Sequence, residues 1–217
     1  MCHKLFLFSA LMMSNLLTGC ASITGTVTQP ISAPETAAPL APSYSNAAGA
    51  LMNDAKVIRA MAKIEQDRNF NNALMVELNE IPAPPFGEEK RGKRFAQILR
   101  AEGLSDIQID SAGNVIARRP GTAGNRTLAI AAHIDTVFPL ETDVTVKIDG
   151  NTYTAPGIGD NTRGMVVLVS LLRALEAAGI QTQDDILFIG TTGEEGLGDL
   201  RGVKALFADG GPHIDNF

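Results

Sequence analysis

Five residues in three short clusters carry donor groups that could share a cation. His133 and Asp135 close the stretch "TLAIAAHIDTVFP", Asp160 lies in "APGIGDNTRGM", and Glu194 and Glu195 lie in "GTTGEEGLGD". Neutral imidazole and carboxylates are borderline-to-hard ligands that suit zinc, and to a lesser extent cobalt or manganese. An acid two residues along a strand from a histidine lies on the same side and can hold its second ring nitrogen. One aspartate offers two oxygens, enough to bridge two metals about 3.5–4 Å apart. Paired glutamates, Glu194 and Glu195, divide the remaining work: one can ligate while the other serves as general base for a metal-bound water.

Each cluster taken alone has a simpler reading. A histidine at a strand end is commonly a satisfied hydrogen-bonding residue, Asp160 could cap a helix, and acids are favoured at helix starts. Their joint placement favours a site. Competing motifs are absent: there is no H-E-x-x-H helix and no G-x-S-x-G elbow. The glycines of "GIGDNTRG" have the wrong spacing for a dinucleotide loop, and no apolar strand precedes them.

The elements that must position these residues follow from hydrophobic periodicity. Residues 52–80 read as helix in two pieces, with Met61 and Ile64, then Leu74 and Leu78, at helical spacing. "IPAPPFGEE" (81–89) breaks that run. A helix from about Glu88 presents Phe95, Ile98 and Leu99 on one face and stops at Gly103. Strand signals at 107–110 and 114–119 flank a turn at Ser111–Gly113, and "TLAIAA" (127–132) has the length and apolarity of a buried strand. Residues 143–155 read as a hairpin turning at Asp149-Gly150. Met165, Leu168, Val169, Leu172 and Leu175 form a helix face ended by Gly179; "DILFIG" (185–190) is another buried strand, and a last helix begins near Leu197. Buried strands alternating with helices predict an α/β fold with a mostly parallel central sheet, whose sites form beyond the carboxyl ends of the strands.

The amino terminus is read separately. Lys4 precedes the apolar run 5–17, too short to span a bilayer but suited to a signal-peptide core, and the run ends in "LTGC". That resembles a bacterial lipobox, so residues 1–19 are expected to be removed and Cys20 lipidated; an ordinary cleaved signal is the alternative. Ala21 resembles the outer-membrane sorting pattern, which places the protein in the cell envelope, lipid-anchored and facing the periplasm. Residues 20–50, rich in Ala, Pro, Ser and Thr, read as a flexible tether, and 51–217 as the folded part. With Cys2 lost and Cys20 lipidated, no disulfide or thiolate ligand is available. The net charge of −6, without a dense Lys/Arg cluster, argues against nucleic-acid binding.

The three motifs, in their order and spacing, resemble the di-zinc peptidase and deacylase family that includes carboxypeptidase G, tripeptide aminopeptidase, aminoacylases and succinyl-diaminopimelate desuccinylase. "EIPAPPFGEEKRGKRF" and "DSAGNVIARRPG" are similar to N-terminal segments of its tripeptide-aminopeptidase-like branch. The resemblance implies His133 and Glu195 as ligands of two zinc ions, Asp160 as the bridge with a cis peptide to Asn161, Asp135 as the orienting acid and Glu194 as the base. It implies hydrolysis of a short peptide or an N-acylated amino acid. The family's remaining ligands, an acid beyond Phe217 and a late histidine, are not matched; Asp215 and His213 are the nearest substitutes. The lid or dimerisation domain is likewise unmatched, so no dimer is expected. The chain therefore reads as the front half of a catalytic domain, with a catalytically inactive remnant or a binding lipoprotein as the alternative.

Overall fold

Strand β6 (Asp185–Thr191) has all seven residues buried, a state reached only by a strand paired on both edges and covered on both faces. In the computed structural model, which describes residues 42–217, its neighbours are β2 (Val115–Arg119) and β3 (Thr127–His133). With β1 (Asp106–Ile109) on the far side of β2, the order is β1-β2-β6-β3. β3 and β6 run parallel, with Thr127 opposite Asp185 and His133 opposite Thr191. β2 runs against both β1 and β6. The sheet is therefore mixed: three strands share a direction, as a mostly parallel sheet requires, while β2 opposes them. The tight turn at Ser111–Gly113 imposes this, since a short connection joins only antiparallel neighbours.

Alternation along β6 divides the core. Ile186 and Phe188 face one cluster with Phe95, Leu99, Met165, Val169 and Leu172. Leu187 and Ile189 face the other, with Ile116, Ala129 and Leu206. The first face is covered by α4 (Glu89–Ala101) and α5 (Arg163–Ala178), the second by the short α6 (Arg201–Leu206). α5 ends where expected: Gly179 adopts φ 63°, and the N–H of Ile180 reaches back to the carbonyl of Leu175. α2 (Ala55–Gln66), capped by the Asp54 carboxylate, packs its Ala60 against Ala174 and Ala178 of α5. α3 (Arg68–Asn79) contributes Leu74 and Leu78 to the main cluster. The hairpin of β4 (Lys147–Asp149) and β5 (Thr152–Thr154) turns at the expected Asp149-Gly150.

One expectation needs correcting. The tether read over 20–50 is helical from Pro42 onward, as α1 (Pro42–Met52); its Asn, Ala, Leu and Met residues tolerate helix even without a core to join. Met61, at helical spacing with Ile64 in α2, is 58% exposed, because the small Ala60 makes the close approach to α5. The signal segment 1–19, Cys20 and the tether up to residue 41 lie outside the described residues. Among the described residues no helix is long and apolar enough to cross a membrane.

Candidate metal centre

The register of β3 against β6 brings the predicted residues together. Because His133 is level with Thr191, the chain leaving β3 and the chain leaving β6 emerge side by side. Donor atoms of His133, Glu194 and Glu195 lie within 4.8 Å of one another. Asp160 arrives from the turn at Ile158–Thr162 that opens α5, and its Oδ1 is 2.9 Å from Nε2 of His133. The peptide between Asp160 and Asn161 is cis. Glu194 sits a little further off, with Oε2 3.9 Å from the same nitrogen.

Asp135 is wholly buried and holds the cluster in two ways. Its backbone carbonyl lies 3.0 Å from Nδ1 of His133, whereas its carboxylate is 3.7 Å away. A carbonyl only accepts, so Nδ1 is the donor and Nε2 faces Asp160 and the glutamates. The Asp135 carboxylate instead accepts the N–H groups of Glu194 and Glu195, at 3.0 and 2.9 Å. It thereby ties the loop after β6 to the loop after β3. Contact of imidazole with the acid was expected from the side chain; here the nearer group is the carbonyl.

Charge in the cluster is lopsided. Burial works against protonation of His133, but hydrogen bonds with Asp135 and Asp160 outweigh it and push the imidazole up to about 9. Burial raises the Glu195 carboxyl, and the negative charges of Asp160 and Glu194 raise it further. Burial also opposes the charge of Asp135, yet the imidazole and the two N–H donors hold its carboxyl below the usual range. One imidazole among four acids is a donor set that fits a divalent cation, with His133, Asp160 and Glu195 as the residues that would hold it.

The loops carrying these residues are fixed from below by groups at the end of α3 and the start of α4. Arg91 is completely buried, and its guanidinium donates to the carbonyls of Ile81, Ile134 and Asn79 at 2.8, 2.9 and 3.2 Å. Burial lowers its pKa to about 10, opposed by the charge of Asp135. Ile134 lies between His133 and Asp135, so this bond anchors the first loop. The buried Asn79 side chain accepts from the Thr162 hydroxyl and donates to the Val144 carbonyl, anchoring the second. Glu88 accepts from the N–H of Gly193 and from Arg201, anchoring the third. Gly193 has φ 60°, and a Cβ there would stand 2.0 Å from Nη1 of Arg201. Sequence reading did not find this frame. Its one visible signal is Arg91 itself, a charged residue four positions before Phe95 on an otherwise apolar stripe.

His213 and Asp215 lie at the other end of the sheet. His213 is 3.2 Å from Asp215, whose carboxylate accepts the N–H of Thr127, the first residue of β3. Six residues of strand separate that point from His133, roughly 20 Å at the usual rise. Neither can substitute as a ligand in this cluster.

Comparison with known proteins bears on the same region. Peptidase family M28 matches residues 114–215, a span that includes all five clustered residues. No curated protein matches the chain. Among solved structures, aminopeptidase PepT from Bacillus cereus superposes with a TM-score of 0.54 at 24% identity, over 63% of this chain and 39% of that one. A tripeptidase from Staphylococcus aureus gives 0.54 at 22% identity, over 64% and 40%. Human carnosine dipeptidase 1 gives 0.57 at 14% identity, over 66% and 36%. The chain thus spans about two fifths of the length of the first two. Identities this low speak for fold alone, and that fold is the α/β arrangement just described. Family match and fold meet on one region: residues 114–215, which match Peptidase family M28, hold the five clustered residues, and the α/β fold around them is shared with the solved aminopeptidase and tripeptidase.

Proposed function

We propose that this chain carries the metal-binding part of a hydrolase that cleaves peptide or N-acyl amide bonds. The observation that carries the reading is the convergence of His133, Glu194 and Glu195 within 4.8 Å, with Asp160 against the same imidazole. Zinc is the metal we assign, two ions in the complete site, with cobalt or manganese as alternatives. When bound, it supplies Lewis-acid polarisation of the scissile carbonyl and positive charge for the oxyanion. The chain's own residues do the rest. His133 is held with Nε2 inward by Asp135, and Asp160 and Glu195 complete the ligand set. Glu194, the more exposed of the acids nearest His133 after Asp160, takes a proton from the attacking water and returns it to the departing amine. A short peptide or an N-acylated amino acid is the substrate class, which fits the tripeptidase and dipeptidase among the structural relatives. Lipidation at Cys20, anchoring the domain in the bacterial envelope, belongs to the same proposal and is tested by radiolabelled-palmitate incorporation lost in Cys20→Ala.

The decisive variant is Glu194→Gln, assayed in the full natural polypeptide. Turnover is expected to fall at least a hundredfold while bound zinc, measured after dialysis, is unchanged. Retained activity would remove Glu194 from the mechanism; lost zinc would reassign it as a ligand.

A further inference from the structure

We propose that α1 is a membrane-surface helix, lying along a lipid bilayer on the stripe formed by Tyr44, Ala48, Leu51 and Met52. The proposal extends the lipid anchor at Cys20 proposed above and rests on it for bringing α1 to the bilayer. It does not involve the metal cluster.

Every residue from Ser43 to Met52 is exposed, and α1 contributes to none of the core clusters. A helix of this length is marginal in water without tertiary packing, and Gly49 inside it weakens it further. Such a helix needs a surface to lie on, and its composition says which kind. α1 contains no charged residue, in a chain of which 19% is charged. Tyr44, Ala48, Leu51 and Met52 recur at i, i+4, i+7 and i+8 and so share one side, while Asn46 and Gly49 take the other. The three large side chains of the stripe are 69, 62 and 67% exposed.

Three features favour lipid over a protein partner. A tyrosine at one end of an otherwise aliphatic stripe suits the headgroup level, where its ring is half buried and its hydroxyl stays wet. The charge that follows α1 suits anionic headgroups. Residues 42–64 carry Lys56, Arg59 and Lys63 against the single acid Asp54, a local net of +2 in a chain whose net charge is −6. Arg59 is exposed and is flanked in sequence by the exposed Ile58 and Met61. Finally, residues 21–41 join α1 to Cys20. A lipid at that cysteine makes the helix's own contact intramolecular, so a weak surface affinity is multiplied by the effective concentration.

The chain has no tryptophan, so one introduced residue reports alone. Leu51→Trp and Asn46→Trp are made in the full chain, expressed with its signal and reconstituted in vesicles of phosphatidylethanolamine and phosphatidylglycerol with brominated acyl chains. Both positions are exposed, so neither substitution disturbs the core. Emission of Leu51→Trp is expected to be blue-shifted, and quenched about twofold relative to unbrominated vesicles, with that of Asn46→Trp nearly unchanged. Vesicle flotation separates this proposal from the anchor. A chain that floats while Leu51→Trp stays unquenched overturns the helix contact and leaves the anchor standing; a chain that does not float overturns both. A blue shift without quenching assigns the stripe to a second copy of the chain, and equal quenching at the two positions places the helix inside the bilayer rather than on it. Either result overturns the proposal.

Discussion

Replacing Arg91 by methionine tests whether the candidate site is held from beneath. The substitution preserves an unbranched apolar stem but removes the donors serving Ile81, Ile134 and Asn79. A buried acceptor left without a donor costs about 1–3 kcal/mol, so three carbonyls set an upper bound near 9 kcal/mol. Two effects reduce that figure: water can enter the space vacated by the guanidinium, and a buried cation no longer has to be desolvated. The second is substantial here, since burial, even against the charge of Asp135, holds the arginine down at about 10. We expect a net loss of about 3–5 kcal/mol, the range seen when one partner of a buried charged network is removed. That is a large part of the 5–15 kcal/mol by which domains are typically stable, near ~10 kcal/mol at mid-range. Urea denaturation followed by circular dichroism measures it. Arg91→Lys, which keeps the charge but not the planar fork, should fall between wild type and the methionine variant. A loss below about 1 kcal/mol in Arg91→Met would show that the three carbonyls find other partners and that the frame is not rigid.

Other outcomes follow from the same structure. Phe188→Ala, at a fully buried position facing the larger cluster, should cost about 3–5 kcal/mol in the same denaturation assay. Asp185 has its carboxyl held low by the Gly121 N–H first, against burial, and then by Arg118. A lowered folded value means its contribution is present above the unfolded aspartate pKa, about 3.9, and is lost as pH falls below it. Asp185→Asn should therefore flatten the stability profile in that acid window and leave its shape near neutrality unchanged. Zinc at a hundredfold excess over its dissociation constant should stabilise the chain by about 2.7 kcal/mol, seen as a rise in melting temperature. That rise should vanish with chelator and in His133→Ala.

Much of the positioning scaffold is legible in sequence because it rests on local pattern. The unbroken apolar runs at 127–132 and 185–190 mark β3 and β6, and Gly179 and Asp149-Gly150 mark a helix end and a hairpin. The five clustered residues are legible because each directly follows or precedes such an element. What escapes is long-range or made by backbone. Arg91 reaches a carbonyl 43 residues away and Glu88 an N–H 105 residues away, and periodicity carries no record of such partners. The contact between His133 and the carbonyl of Asp135 is equally hidden, since every residue type has that group. Helical spacing marks the stripe of Met61 and Ile64 but not that α2 meets α5 through Ala60, which leaves Met61 exposed.

The turn between β1 and β2 has a consequence for anyone wishing to re-engineer the chain. Asn114, fully buried, donates to Asp110 and to the carbonyl of Gly202, and accepts the N–H of Thr192. The Thr192 hydroxyl in turn donates to the carbonyl of Ala112. Ala112 and Asn114 of an outwardly ordinary hairpin turn are thus stitched to the segment that delivers Glu194 and Glu195. An epitope tag or a single added residue between Asp110 and Asn114 would shift the two glutamates bodily. The same insertion at Gly124, which is exposed and has no atom near its would-be Cβ, would leave them in place. The short hairpin is a part whose length cannot drift, and grafting or permutation of this scaffold has to go around it.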